Sequence, residues 1–164
     1  MTPSKHSSSK SVLSLNLRHP LERLSDQHLG AEYRELPRVF GAVRYLHQHP
    51  QLQRKIKPPS QYVLGTGHVT FFYHKLGFLL DRYAQLCTEC RQRGRVVNYG
   101  DGAALVQGIP PLYLGSWTPP VDAVLLNYQR IQDRGGLRPG WSLLPFLLRT
   151  YGAAVLKGQT ALYI

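Results

Sequence analysis

The sequence predicts an all-α fold: one compact domain of three main helices joined by long irregular connections. Two observations predict it. Apolar residues recur at spacings of three and four in three separate stretches, as amphipathic helices require. No convincing run of alternating apolar and polar residues appears in the 164-residue chain. With 43% hydrophobic residues, the chain has enough apolar material for one real core.

Residues 1–12 are polar, Ser-rich and weakly basic, and are expected to form a flexible tail ahead of a folded domain over 13–164. The first helix is expected to start at Ser25 or Asp26, both good caps, and to run to about Leu46. Leu29, Tyr33, Leu36, Phe40 and Val43 form its apolar face. Glu32 and Glu35 fall early and Arg38 and Arg44 late, which suits the helix dipole. Pro37 has no N–H to donate, so a kink or a helix broken in two is expected there.

A basic loop, Arg54 to Ser60, separates this segment from a second helix expected from Thr66 or Gly67 to Gly94. Val69, Phe72, Leu76, Leu79, Tyr83, Leu86 and Cys90 mark its buried stripe. Cys90 and its neighbour Cys87 are expected to be core thiols, because a single Cys-x-x-Cys lacks the second ligand pair of a zinc site. Residues 95–120 hold Tyr-Gly-Asp-Gly, Ile-Pro-Pro and Thr-Pro-Pro, a long irregular connection. The third helix is expected over Val121–Arg134, with Val124, Leu125, Tyr128 and Ile131 inward and Gly135 and Gly136 closing it. The segment from Trp141 to Ile164 is apolar and aromatic, with a short helical reading around Leu143 to Tyr151.

Twenty Lys and Arg, most of them Arg, face nine Asp and Glu, for a formal net charge of +11 at pH 7. Such an excess points to a polyanion: DNA, RNA or an acidic membrane surface. No apolar run reaches the length of a membrane span, and the N-terminus has no secretory signal, so a cytoplasmic protein is expected. Gly-Lys-Ser/Thr phosphate loops and Gly-x-Ser-x-Gly elbows are absent from the sequence. His47 and His49 have no acidic or thiol ligands nearby, so neither a metal site nor a cofactor is expected.

Arg34, Glu35 and Arg38 lie close together on the polar side of the first helix, with His28 about two turns earlier. A carboxylate between two guanidiniums can stabilise a developing cation or act as a general base. An ordinary surface ion-pair cluster has the same spacing. His68, at the expected start of the second helix, suits either a contact to phosphate or a base, or a plain cap or packed histidine. Arg130 and Arg134, one turn apart, share an outer face of the third helix. Spacing alone therefore describes a basic helical nucleic-acid binder.

Three stretches carry a resemblance. Asp26-Gln27-His28-Leu29-Gly30-Ala31-Glu32-Tyr33-Arg34-Glu35-Leu36-Pro37-Arg38-Val39-Phe40-Gly41-Ala42-Val43-Arg44 closely resembles the signature helix of the phage-type pyrimidine-dimer DNA glycosylases. Leu64 to Leu76 is a second match, and Gln129 to Trp141 a weaker third, in family order. The resemblance implies a repair enzyme without metal or cofactor, expected as a monomer on double-stranded DNA containing pyrimidine dimers. It implies a glycosylase with an associated β-elimination lyase activity, in which an N-terminal α-amine attacks sugar C1′ and displaces the damaged base through an imine. Such an amine, with a reference pKa of about 7.7 to 8.0, is more nucleophilic near neutrality than lysine. The family's essential glutamate maps onto Glu35. Its DNA-contacting residues map onto His28, Arg34, Arg38, Arg130 and Arg134, and Gln27 and His68 are expected to join them at the DNA.

The departure is at the N-terminus. About eleven additional residues precede the stretch Leu15-Asn16-Leu17, where the family places its nucleophile a few residues before the helix. The family position aligns with Leu13 or Ser14, while Met1-Thr2 imitates the family start. Three expectations stand side by side: the Thr2 amine folds back into the site, processing or a different start exposes a residue near Leu13, or the nucleophile is lost. The last would leave a non-catalytic damaged-DNA-binding protein. A binder of RNA or of a membrane surface would rest on charge alone.

Overall fold

A computed structural model describes residues 21–100, 102–142 and 144–152. Thr2, Leu13, Ser14, the expected tail over 1–12 and the end of the C-terminal segment lie outside the described residues. A 3₁₀ turn, Leu21–Arg23, leads into α1, Asp26–Gln48. Ser25 is its cap, as the sequence implies, with Oγ accepting from the His28 N–H at 3.2 Å. Pro37 sits inside a helix that is not broken in two. A proline here costs about 3 kcal/mol. Leu29, Leu36, Phe40 and Val43 are all buried, each contributing about 1.5–3 kcal/mol, and this packing outweighs that cost.

After the short α2, Pro50–Gln53, the chain reaches α3, Leu76–Gln92. Here the structure corrects the expected start at Thr66 or Gly67. Thr70–Phe72 forms a separate 3₁₀ turn, and Lys75 (φ −132°, ψ 32°) leaves helical geometry before α3 begins. The cause is a backbone crossing. The Phe78 N–H donates to Gly115 O at 3.3 Å, and a Cβ on Gly77 would come within 2.6 Å of Leu114 O. The connection between the second and third predicted helices passes over α3 at its first turn, and both strands of backbone need glycine there. Phe72 still packs into the core beside Leu76, so the inward direction read from the spacing holds across the break.

The long connection contains α4, Ala103–Val106, and a 3₁₀ turn, Pro111–Tyr113. Arg44 binds this segment to α1, donating from Nε to Gln107 O at 3.0 Å and from Nη2 to Leu105 O at 2.8 Å. α5 spans Val121–Asp133 with Arg134 as its cap, and α6 spans Leu144–Tyr151. Among the described residues no strand occurs, only an isolated antiparallel bridge between Leu24 and Leu137.

The main core lies between α1 and α3, with Tyr33 stacked on Tyr83 at 5.7 Å. Cys87 and Cys90 are buried in it and form no disulfide, and burial pushes the Cys90 thiol up. A second cluster joins Val124, Leu125 and Tyr128 of α5 to Leu147 of α6. Among the described residues no helix is long and apolar enough to cross a membrane.

Candidate DNA-binding and catalytic site

The exposed side of α1 carries Gln27, Arg34 and Arg38, with Glu35 at its edge. Glu35 Oε2 accepts from Arg38 Nη1 at 2.7 Å. The Arg38 side chain is 73% exposed and that of Glu35 only 20%. The sequence suggests a carboxylate flanked by two guanidiniums, but the structure pairs Glu35 with Arg38 alone. Arg34 instead leans back one turn, its Nη1 within 3.3 Å of the point a Cβ on Gly30 would occupy. Glu35 Oε1 accepts no hydrogen bond from the described residues, so one carboxylate oxygen is oriented and the other is available.

The start of α1 is joined to the end of α5. Ser25 N–H donates to Gly136 O at 2.8 Å, and Arg138 N–H to Arg23 O at 2.9 Å. This seam covers His28. A Cβ on Gly136 would come within 2.6 Å of His28 Nδ1, so glycine is what lets the loop close over the ring. The result is a buried ring: His28 is 7% exposed. Its Nε2 is buried without a hydrogen-bond partner. Burial lowers its pKa; Glu32 opposes that shift, and Arg82, Arg134 and Arg130 reinforce it. A neutral ring thus lies beneath the surface, between the acid of one ion pair and the two arginines of α5.

Arg130 and Arg134 do share one side of α5. With the Gly65-Thr66 turn, Val69 and Leu126 they line a cleft of about 800 Å³. Gly65 and Gly67 adopt φ of +84° and +93°, which side-chain-bearing residues seldom do, and so give the turn its shape. Arg134 is exposed and Arg130 half-buried. Burial lowers the pKa of Arg130, Arg134 adds to the shift and Tyr62 opposes it. The cleft's Asp133 accepts from Gln129 Nε2 at 2.7 Å.

His68 follows the packed one of its two readings, without the helix start expected there. α3 begins eight residues later, so no helix N-terminus stands behind it. The ring is 3% exposed, with Nδ1 3.1 Å from Val63 O and edge-on contacts to Tyr62 and Phe72. It forms part of the cleft wall and sets the course of the turn.

Three arrangements of charge are not evident from spacing. Glu32 and Arg82 form an ion pair with both side chains wholly buried, at 2.8 Å and 3.0 Å. A signal was present: Glu32 falls in the inward register of Leu29, Leu36 and Val43. Arg93 donates to Leu21 O, Leu24 O, Asp26 Oδ1 and Glu89 Oε1, fastening the entry to α1 onto the end of α3. Arg95 donates from Nη2 to Asp26 O at 2.9 Å and lies over Gly30. Apart from the i,i+4 pair of Arg93 with Glu89, no sequence signal foretells these last two, because their partners lie about seventy residues away.

The arrangement offers an oriented carboxylate, a row of exposed guanidiniums beside it, and a basic cleft between the Gly65-Thr66 turn and α5. Such a surface can grip a phosphate backbone and bring a carboxylate to a sugar. Compared with known families, residues 13–101 match the family model described as pyrimidine dimer DNA glycosylase, more than half of the chain. The match includes Glu35 and all of α1 and α3, and ends before the α5 arginines.

Proposed function

The chain belongs to the pyrimidine dimer DNA glycosylase family, and from that premise we propose that it excises ultraviolet-induced pyrimidine dimers from duplex DNA and then nicks the strand by β-elimination. The observation that carries the reading is Glu35: partly sheltered, held through one oxygen by Arg38, and set in the exposed guanidinium row of α1.

In this reading an N-terminal α-amine supplies the nucleophile. Its lone pair bonds to C1′ as the glycosidic bond breaks, and the base leaves with that bond's electrons and gains a proton. Loss of the amine proton and opening of the sugar give an imine. Removal of a C2′ proton then expels the 3′ phosphate. Glu35 stabilises positive charge at C1′ and takes up protons in these steps. Thr2 is the first candidate for the amine, with a residue near Leu13 or Ser14 as the alternative. Gln27, Arg34, Arg38, Arg130 and Arg134 hold the backbone, which must bend for C1′ to be reached. His28 and His68 act from beneath, shaping the surface that these groups occupy.

Borohydride trapping on duplex DNA carrying a single dimer tests the reading. A covalent adduct whose peptide map identifies the amine-bearing residue is the expected result. Damage-selective binding without an adduct would instead identify a protein that has kept the scaffold and lost the nucleophile.

A further inference from the structure

The row of guanidiniums on α1 continues beyond the residues discussed so far. Gly30, Arg34 and Arg38 follow one another at one-turn intervals, so they lie in one line along the helix. Gly30 contributes no side chain to that line. A glycine in a helix interior costs about 1 kcal/mol relative to alanine, and the backbone at Gly30 shows no positive φ that would require one. What occupies the space is Arg95, from the loop after α3. A Cβ on Gly30 would fall 2.5 Å from Arg95 Nη1 and 3.3 Å from Arg34 Nη1. Two guanidiniums therefore converge over the one residue of the row that has no side chain.

Arg95 is anchored there, because its Nη2 donates to Asp26 O at 2.9 Å. The nearby Asp26 carboxylate is taken up by Arg93 at 2.7 Å. Arg34 makes no ion pair among the described residues. Like charges this close are destabilising unless water or an anion lies between them.

We propose that Arg95 and Arg34 form a phosphodiester subsite over Gly30, extending the DNA-binding row of α1 by one turn toward its N-terminus. The proposal rests on the duplex-DNA reading above and adds a contact residue from a different element. Gly30 and Arg38 are two turns apart, about 11 Å along the helix axis, so this subsite is separate from the Arg38 end of the row. Glu35 stands beside its middle, where the sugar chemistry is proposed.

The test is the salt dependence of binding to undamaged and dimer-containing duplexes, measured by fluorescence anisotropy. Arg95→Gln is expected to weaken binding to both duplexes several-fold at low salt. It should also make the slope of log K against log salt shallower by about 0.9, the value of one lost phosphate contact. Gly30→Ala keeps every charge but displaces the Arg95 guanidinium, and should shift the slope in the same direction by less. A wild-type slope for folded Arg95→Gln overturns the proposal. If Arg95→Gln does not fold, a wild-type slope for Gly30→Ala overturns it instead. Borohydride trapping with the unaltered protein reads the glycosylase chemistry separately, so failure of one reading is distinguishable from failure of the other.

Discussion

Glu32 of α1 and Arg82 of α3 face each other in a two-point ion pair from which solvent is wholly excluded. Fifty residues apart in the chain, they tie the two core helices together. Removing one partner leaves the other charged and buried, at a cost of about 3–5 kcal/mol. Glu32→Gln and Arg82→Met are each expected to lower stability by that order in urea denaturation. Replacing both by Leu and Met is expected to recover most of the loss, since a packed apolar pair needs no charge compensation. Equal losses for the double and single variants would show that the pair is not the source of the effect.

Glu35 forms the opposite kind of pair. Its contact is with the largely exposed Arg38, and surface pairs of this kind contribute about 0–1 kcal/mol. Glu35→Gln is therefore expected to leave the thermal midpoint nearly unchanged, while strand nicking falls by about 10²–10⁴-fold, the range for loss of an acid–base group. Single-turnover nicking alongside calorimetry checks both halves. Nicking at the unaltered rate would remove Glu35 from the chemistry.

Acid should weaken the fold through His28. Its folded-state pKa lies below the ordinary value of 6.5, chiefly because of burial. Between 6.5 and the lower folded value the unfolded chain binds the proton and the folded one does not. The contribution of His28 is thus present above pH 6.5 and is lost as the pH falls through the folded value. Denaturation at pH 7.5, 6.5 and 5.5 should show declining stability for the unaltered protein. The decline should be smaller for His28→Gln, and identical slopes would contradict the assignment.

Gly115→Ala is expected to be poorly tolerated. The new Cβ would overlap His74 O, and backbone lies on both sides of the contact. A loss of about 1–3 kcal/mol, the range for overpacking a tight site, should appear in the same denaturation assay. Gly41→Ala is the control, since a Cβ there meets nothing within 4 Å.

The α-helical architecture and most of the core were legible in the sequence. Leu29, Leu36, Phe40 and Val43, and likewise Val124, Leu125, Tyr128 and Ile131, are buried as their spacing implied. Ser25 caps α1 as its type and position implied. Tyr33, assigned to the same apolar face, is only partly buried, stacked on Tyr83 with its hydroxyl accepting from Asn98 N–H at 2.7 Å. The membership of Glu35, Arg34 and Arg38 in one polar face was equally readable. Their pairing was not, because rotamers and neighbouring loops determine which guanidinium meets the carboxylate.

The sequence by itself determined the helical faces, the capping of α1, the basic character and the family. Each of these is written in residues three or four apart or in contiguous motifs, where chain geometry alone sets the neighbours. Tertiary structure decided where α3 begins, that His28 and His68 lie under the surface, that Glu32 finds Arg82, and that Arg95 lies over Gly30. All of these depend on segments distant in sequence meeting through packing. A crossing loop at Gly115 competes for an N–H that local periodicity assigns to the helix. A loop closing at Gly136 covers the His28 ring. The exposed row on α1 is thus a local pattern, and a residue from the loop after α3 completes it.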